Sequence, residues 1–216
     1  MGYHLDEFLS WDKQIKHVAS KLSSSNFAIA RSKNTLPLAI RKTIYKSLFK
    51  SHLEYGLMAW GGAQLGKLKQ VKVLQKKCIR NVANVGYRSH TDPLFKKLEI
   101  LKLDDLYTLN LQCFMQKIDN EEVPDSFIGM FKRLTALGIR VDRHTPLDYG
   151  IDHPKNKFLS KFPTAKLPQA WNLLPLNTQA LMKKEEFQNE IKFSMLSAYH
   201  TRINCNEITC PDCHPG

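Results

Sequence analysis

Leu68-Lys69-Gln70-Val71-Lys72-Val73-Leu74-Gln75-Lys76-Lys77-Cys78-Ile79-Arg80-Asn81-Val82 is the stretch on which the fold turns. When each residue is rotated by ~100° about a helix axis, Leu68, Val71, Leu74, Cys78, Ile79 and Val82 gather on one side. Lys69, Lys72, Lys76 and Arg80 gather on the other. The spacing predicts a helix from about Gln64 to Asn84, apolar behind and cationic in front. Such a cationic row has two readings: a solvated surface whose stems cover apolar neighbours, or a stripe that follows phosphates.

The same period recurs on both sides of this helix. Ile15, Val18, Ala19 and Leu22 fall at i, i+3, i+4 and i+7 and predict a helix from about Asp12 to Lys33, with Asp12 in its acidic first turn. Pro37 opens a second helix whose apolar row is Ile40, Ile44 and Leu48, and which carries Arg41, Lys42, Lys46 and Lys50 before Gly56, Gly61 and Gly62 end it. Tyr55 and Trp60, beside those glycines, read as anchors that bury to lock the turn, the alternative being rings stacked on bases. Past Gly86 a short helix is expected over Asp92 to Leu98. A longer one starts near Asp104 and carries Leu106, Leu109, Leu111 and Phe114 toward Ile118. Beyond Glu122, Pro124, Pro146, Pro154, Pro163, Pro168 and Pro175 restrict the chain to loops and short helices, with Trp171 as a core plug. A final helix over about Glu185 to Tyr199 turns Phe187, Ile191 and Met195 inward. The expected class is mainly α: a basic helical bundle in residues 1–100, a helical, proline-rich and loop-containing region in 101–199, and a Cys/His-rich tail in 200–216.

With 216 residues, 43% of them apolar, the chain is long enough to bury a sizeable core. Its charge is divided unevenly. Residues 1–100 hold 18 Lys and Arg against 6 Asp and Glu, whereas 101–216 hold 14 of each, so the whole formal charge of +12 belongs to the first part. Lysines and arginines that neutralise phosphates release condensed counterions, so a nucleic acid is the simplest partner for such a segment. No apolar run reaches the ~20 residues of a bilayer span, and the start of the chain lacks signal-peptide grammar. Five cysteines, an odd number, do not form a secreted disulfide framework. These readings place the protein inside the cell, in nucleus or cytoplasm, with no membrane partner.

Catalytic signatures are sparse. Asp104-Asp105 has the composition of a metal-binding carboxylate pair, but Leu103-Asp104-Asp105-Leu106-Tyr107 introduces an amphipathic helix, where acids complement the dipole and free N–H groups. There is no phosphate-cradling glycine loop with Lys-Ser/Thr, no His-Glu-x-x-His, and no local elbow around a serine nucleophile. No catalytic residue is assigned. The tail is richer: Cys205, Cys210, Cys213 and His214 supply thiolates and an imidazole for a tetrahedral zinc site, Cys210-Pro-Asp-Cys213 having zinc-knuckle spacing. A reduced, metal-free tail is the other reading.

Several motifs, in order, resemble the C-terminal part of the reverse transcriptases of non-LTR retrotransposons, the jockey-like and CR1-like LINE polymerases. Gly2-Tyr3-His4-Leu5-Asp6, Leu9-Ser10-Trp11, His17-Val18 and Lys21-Leu22 resemble the passage from palm to thumb. Leu48-Phe49-Lys50-Ser51-His52-Leu53-Glu54-Tyr55-Gly56 with Trp60-Gly61 is similar to the hallmark thumb sequence. Leu74-Gln75-Lys76-Lys77-Cys78-Ile79-Arg80, His90-Thr91-Asp92-Pro93-Leu94-Phe95, Leu101-Lys102-Leu103-Asp104-Asp105-Leu106-Tyr107 and Trp171-Asn172-Leu173-Leu174-Pro175 continue the match. The resemblance implies that residues 1–100 are thumb-like and that the partner is an RNA/DNA template–primer duplex held without regard to sequence. It also implies that the catalytic Asp-Asp motif and its Mg ions belong to a palm upstream of Gly2. The chain is then a truncated piece of an RNA-directed DNA polymerase, missing palm and fingers and inactive alone, with no cofactor of its own apart from zinc at the tail. Two alternatives stay open: a polymerase subdomain whose catalytic portion is encoded upstream, and a host protein of other ancestry that binds nucleic acid or an acidic partner through its basic helices.

Overall fold

Two helices with one apolar face each set the frame. The computed structural model describes residues 2–137, 147–151 and 162–199. They form two compact units, residues 2–103 with 195–199, and the described part of Asp104–Ser194. The class is mainly α, as expected from the sequence; among the described residues there is no strand, only an isolated bridge between Arg133 and Tyr149.

In the first unit, α1 (Asp12–Ser32) buries Ile15, Val18, Ala19, Leu22 and Ile29, and α5 (Leu65–Ala83) buries Leu68, Val71, Cys78, Ile79 and Val82. The two helices run parallel. Lys67 Nζ lies 2.9 Å from Asp12 Oδ1 at their starts, and Asn81 Nδ2 donates to Asn26 Oδ1 at 2.9 Å near their ends. Both pairs are 55 residues apart in sequence, so the register is constant along the contact. The Cys78 thiol, fully buried in this seam, has its pKa pushed up by loss of hydration and stays protonated. Gln75 rather than Leu74 completes the buried row of α5, because its side-chain amide is used on both ends: Nε2 donates to the Leu101 carbonyl and Oε1 accepts from Leu103 N–H, each at 2.9 Å. A buried amide is tolerated when fully paired.

The second predicted helix is a composite: α2 (Leu38–Ile44), a π-helical stretch (Tyr45–Lys50) and α3 (Ser51–Glu54). Thr43, Ser47 and Ser51 turn their hydroxyls back onto the carbonyls of Ala39, Ile44 and Ser47, which loosens the regular ladder. This corrects the expected apolar row. Ile40 and Leu48 are 46% and 43% exposed, while Arg41, Tyr45, Phe49 and Leu53 face inward. Tyr45 and Phe49, stacked at 5.3 Å, are buried together with Leu53, and this row takes the inward face.

The turn that follows is locked by aromatics. Gly56 sits at φ +61° with the Tyr3 ring packed over it, so a side chain there meets both strain and a clash. Tyr3 stacks on Tyr55 with centroids 5.4 Å apart, and Trp60 in α4 (Leu57–Trp60) is fully buried, its indole N–H donating to the Tyr55 carbonyl at 3.0 Å. Trp60 is thus the anchor its setting predicts. The N-terminal segment is held against α1 by His4, whose ring lies 4.5 Å from that of His17. α6 (Asp92–Leu98) follows, and the buried Asp92 carboxylate pairs with Lys102 Nζ at 2.8 Å. That ammonium also lies 4.7 Å from the centre of the Tyr199 ring, which ties residues 195–199 into this unit.

The second unit is organised by amides along α7 (Leu103–Asp119), which buries Leu106, Leu111, Met115 and Ile118. Gln112 Nε2 donates to the Ala170 carbonyl and Gln116 Nε2 to that of Leu181, at 3.0 and 2.8 Å. The remaining elements are the short α8 (Asp125–Ile128), a 3-10 turn (Thr135–Leu137), α9 (Pro163–Asn172) and α10 (Leu176–Gln179), and the longer α11 (Lys184–Ser197). Trp171 is fully buried, stacked on Phe187 at 5.9 Å, with its N–H on the Leu147 carbonyl. It is the core plug that the sequence predicts.

Candidate nucleic-acid interface

α5 carries Lys67, Lys69, Lys72, Lys76, Lys77 and Arg80 and no Asp or Glu over its 19 residues. Its buried side is fixed by packing on α1, so the 3.6-residue period keeps the cations out of the buried seam, at its edges or beyond it. Lys69 and Lys77 are exposed, and Lys72, Lys76 and Arg80 are half-buried, their stems lying along the helix surface. Arg80 is tethered: its Nε donates to the Ser89 carbonyl at 2.8 Å, holding the guanidinium at the loop that leads to α6. Lys67 is committed to Asp12 at the first turn of α1.

The cations of the second helical rod divide. Lys46 is exposed. Lys42 lies 3.8 Å from Glu99 and Lys50 3.3 Å from Glu54, partly exposed pairs worth ~0–1 kcal/mol that a phosphate can displace. Arg41 does not belong to the outward set. It is 8% exposed, and it donates from Nε to the Val82 carbonyl at 2.8 Å and from Nη1 to the carbonyls of Lys33, at 2.7 Å, and Leu36. The reason lies in the parallel pairing: α1 and α5 end side by side, their carbonyl ends carry negative partial charge, and a buried guanidinium fits both.

Sequence reasoning missed Lys16 and Lys77. The structure brings them together with Lys69 around a groove between α1 and α5. Lys77 stands eight residues after Lys69 and Lys16 belongs to another helix, so only the parallel register reveals that they share a rim. Its signal in sequence is faint: small residues, Ala19, Ser20 and Ser23, on the matching side of α1.

Asp104 and Asp105 lie in the first turn of α7, the helix-start role read from sequence. Among the described residues no group of three or more His, Cys, Asp or Glu side chains gathers to hold a metal ion. Cys205, Cys210, Cys213 and His214 lie outside the described residues. No helix among those described is long and apolar enough to cross a membrane.

No protein-family model and no solved structure matches the chain. Among curated proteins it is similar to the RNA-directed DNA polymerase from mobile element jockey of Drosophila melanogaster, 27% identical over 123 residues, which is 55% of this chain and 13% of that polymerase. It is also similar to the probable RNA-directed DNA polymerase from transposon X-element of the same fly, 23% identical over 108 residues, 49% of this chain and 12% of the relative. The matched stretch thus covers about an eighth of those relatives' length. Over about half of its residues, then, the chain is similar to the RNA-directed DNA polymerases of Drosophila non-LTR retrotransposons, as its own motifs indicate.

Proposed function

We propose that the first unit is the duplex-holding, thumb-like part of an RNA-directed DNA polymerase and grips template–primer nucleic acid through its sugar–phosphate backbone. The observation that carries this reading is α5: a helix with its apolar side locked against α1, six cations and no carboxylate. A polymerase must accept every sequence as it advances, so contacts to phosphate are useful and base-edge contacts are not. The likeness to two retroelement polymerases supports the class of partner. Nucleotidyl transfer is assigned to polymerase segments other than these helices.

The test is binding of a fluorescent RNA–DNA hybrid across a salt series. The logarithm of affinity should fall linearly with log salt, at a slope of about 0.9 per neutralised phosphate, and affinity should be equal for hybrids of unrelated sequence. Replacing Lys69, Lys72, Lys76 and Arg80 by Gln should flatten that slope. A salt-independent or sequence-selective interaction would contradict the proposal.

A further inference from the structure

The two sides of α5 offer phosphates different surfaces. Lys72 and Lys76 are half-buried outside the α1–α5 groove, whereas Lys69 and Lys77 are exposed and overhang that groove, of about 550 Å³, whose opposite wall is α1. Lys16 faces them from that wall, and Ser20 and Ser23 follow it at four and seven residues, so the three lie in line on one side of α1. Gln70 adds an amide from α5, and among the described residues no carboxylate lines the groove. The small residues of α1 keep the space open, and the long cationic side chains at its rims can fold over an occupant. Hydroxyl and amide donors then reach the oxygens between the ammonium groups.

We infer that this groove is a dedicated seat for the backbone of one strand of the nucleic acid, with Lys16 and Lys69 neutralising phosphates at one end and Lys77 at the other. The dimensions agree. Eight residues separate Lys69 from Lys77, roughly 12 Å along the helix axis at ~1.5 Å per residue. One strand of a duplex presents a phosphate every ~3.4 Å along its axis, so the length spans about three intervals, or about four phosphates, which three lysines can neutralise in large part. The inference rests on the nucleic-acid reading of the bundle and adds to it a strand-wide seat that shares Lys69 with the outer row and is built by two helices that only tertiary structure brings together.

The experiment measures binding of a fluorescein-labelled 12-base-pair RNA–DNA hybrid to the full chain from low to moderate salt. Lys16→Gln with Lys77→Gln should weaken binding roughly 10- to 30-fold at physiological salt and reduce the salt slope by about 1.8. Ser23→Phe, which changes no charge but fills the groove from an exposed helix position, should weaken binding about 10-fold with an unchanged thermal midpoint. Lys183→Gln with Lys184→Gln removes the same charge elsewhere and should change nothing. If the groove variants bind like the parent while Lys72→Gln with Lys76→Gln loses affinity, the seat is wrong and the broader reading stands. If the charge control loses as much as the groove pair, or Ser23→Phe binds normally, only bulk charge is at work and the seat is likewise refuted. A parent chain that fails to bind the hybrid at all overturns both.

Discussion

Arg41 separates the structural from the binding cations, and replacing it by Gln tests the distinction. Its guanidinium serves the carbonyls of Val82, Lys33 and Leu36 at the ends of α5 and α1, and it is 8% exposed. A charge-assisted hydrogen bond contributes about 1.5–3 kcal/mol, and a carbonyl left unpaired in a dry setting costs about 1–3 kcal/mol. A glutamine amide reaches one of the three acceptors, and water can reach the two in the α1–α2 loop more readily than the one on α5. The net loss should be about 3 kcal/mol, part of it from removing positive charge beside two helix C-termini. At about 2–4 °C per kcal/mol for a chain of this size, the thermal midpoint should fall by roughly 6–12 °C. Arg41→Lys, which keeps the charge but not the fork, should lose about half as much. The assay is urea denaturation followed by circular dichroism, paired with the salt slope of hybrid binding measured where the variant is folded. Stability should drop while the slope is unchanged. An Arg41→Gln protein as stable as the parent, with a slope smaller by about 1, would show a phosphate-binding arginine and refute the argument from the paired helix ends.

Two further outcomes follow from groups that the fold places out of ordinary surroundings. Gln75→Leu retains the volume but strands the Leu101 carbonyl and the Leu103 N–H, and should cost about 2–4 kcal/mol in urea denaturation; a neutral effect would mean that the amide does not bridge them. His17 is held below the ordinary histidine value of 6.5, first by lost hydration and then by the positive neighbours His4, Lys21 and His52. Its folded form therefore takes up a proton less readily than the unfolded chain. The stability it contributes is present above about pH 6.5 and is lost as pH falls through the lowered value. Urea midpoints compared between about pH 7.5 and 5 should fall more for the parent than for His17→Gln, and parallel titrations would remove His17 from the account.

Much of the architecture was legible in the residues because helices announce themselves through period. Asp92–Leu98 coincides with the expected short helix, and the expected long helices begin and end within a few residues of α1, α5, α7 and α11. Trp60 and Trp171 were readable as buried because a large ring beside glycines or prolines has few other uses. The second helix misled, since Ile40, Ile44 and Leu48 and the row Arg41, Tyr45, Phe49 and Leu53 have the same four-residue step. Pattern alone cannot choose between two rows of equal period, and the back-bonded hydroxyls of Thr43, Ser47 and Ser51 are local contacts that hydropathy does not weigh.

The candidate site divides in the same way. Composition alone determined that the positive charge is concentrated in the first hundred residues and that α5 has a cationic side, because charge and helical period are properties of the chain itself. The fate of each cation was a tertiary matter. Arg41 goes inward because α1 and α5 happen to end together, and Lys67 is spent on Asp12 because they also begin together. Lys16 and Lys77 share a groove for the same reason. Parallel pairing between helices some 55 residues apart in sequence leaves no local trace, since it is selected by how two apolar faces fit and not by either face alone.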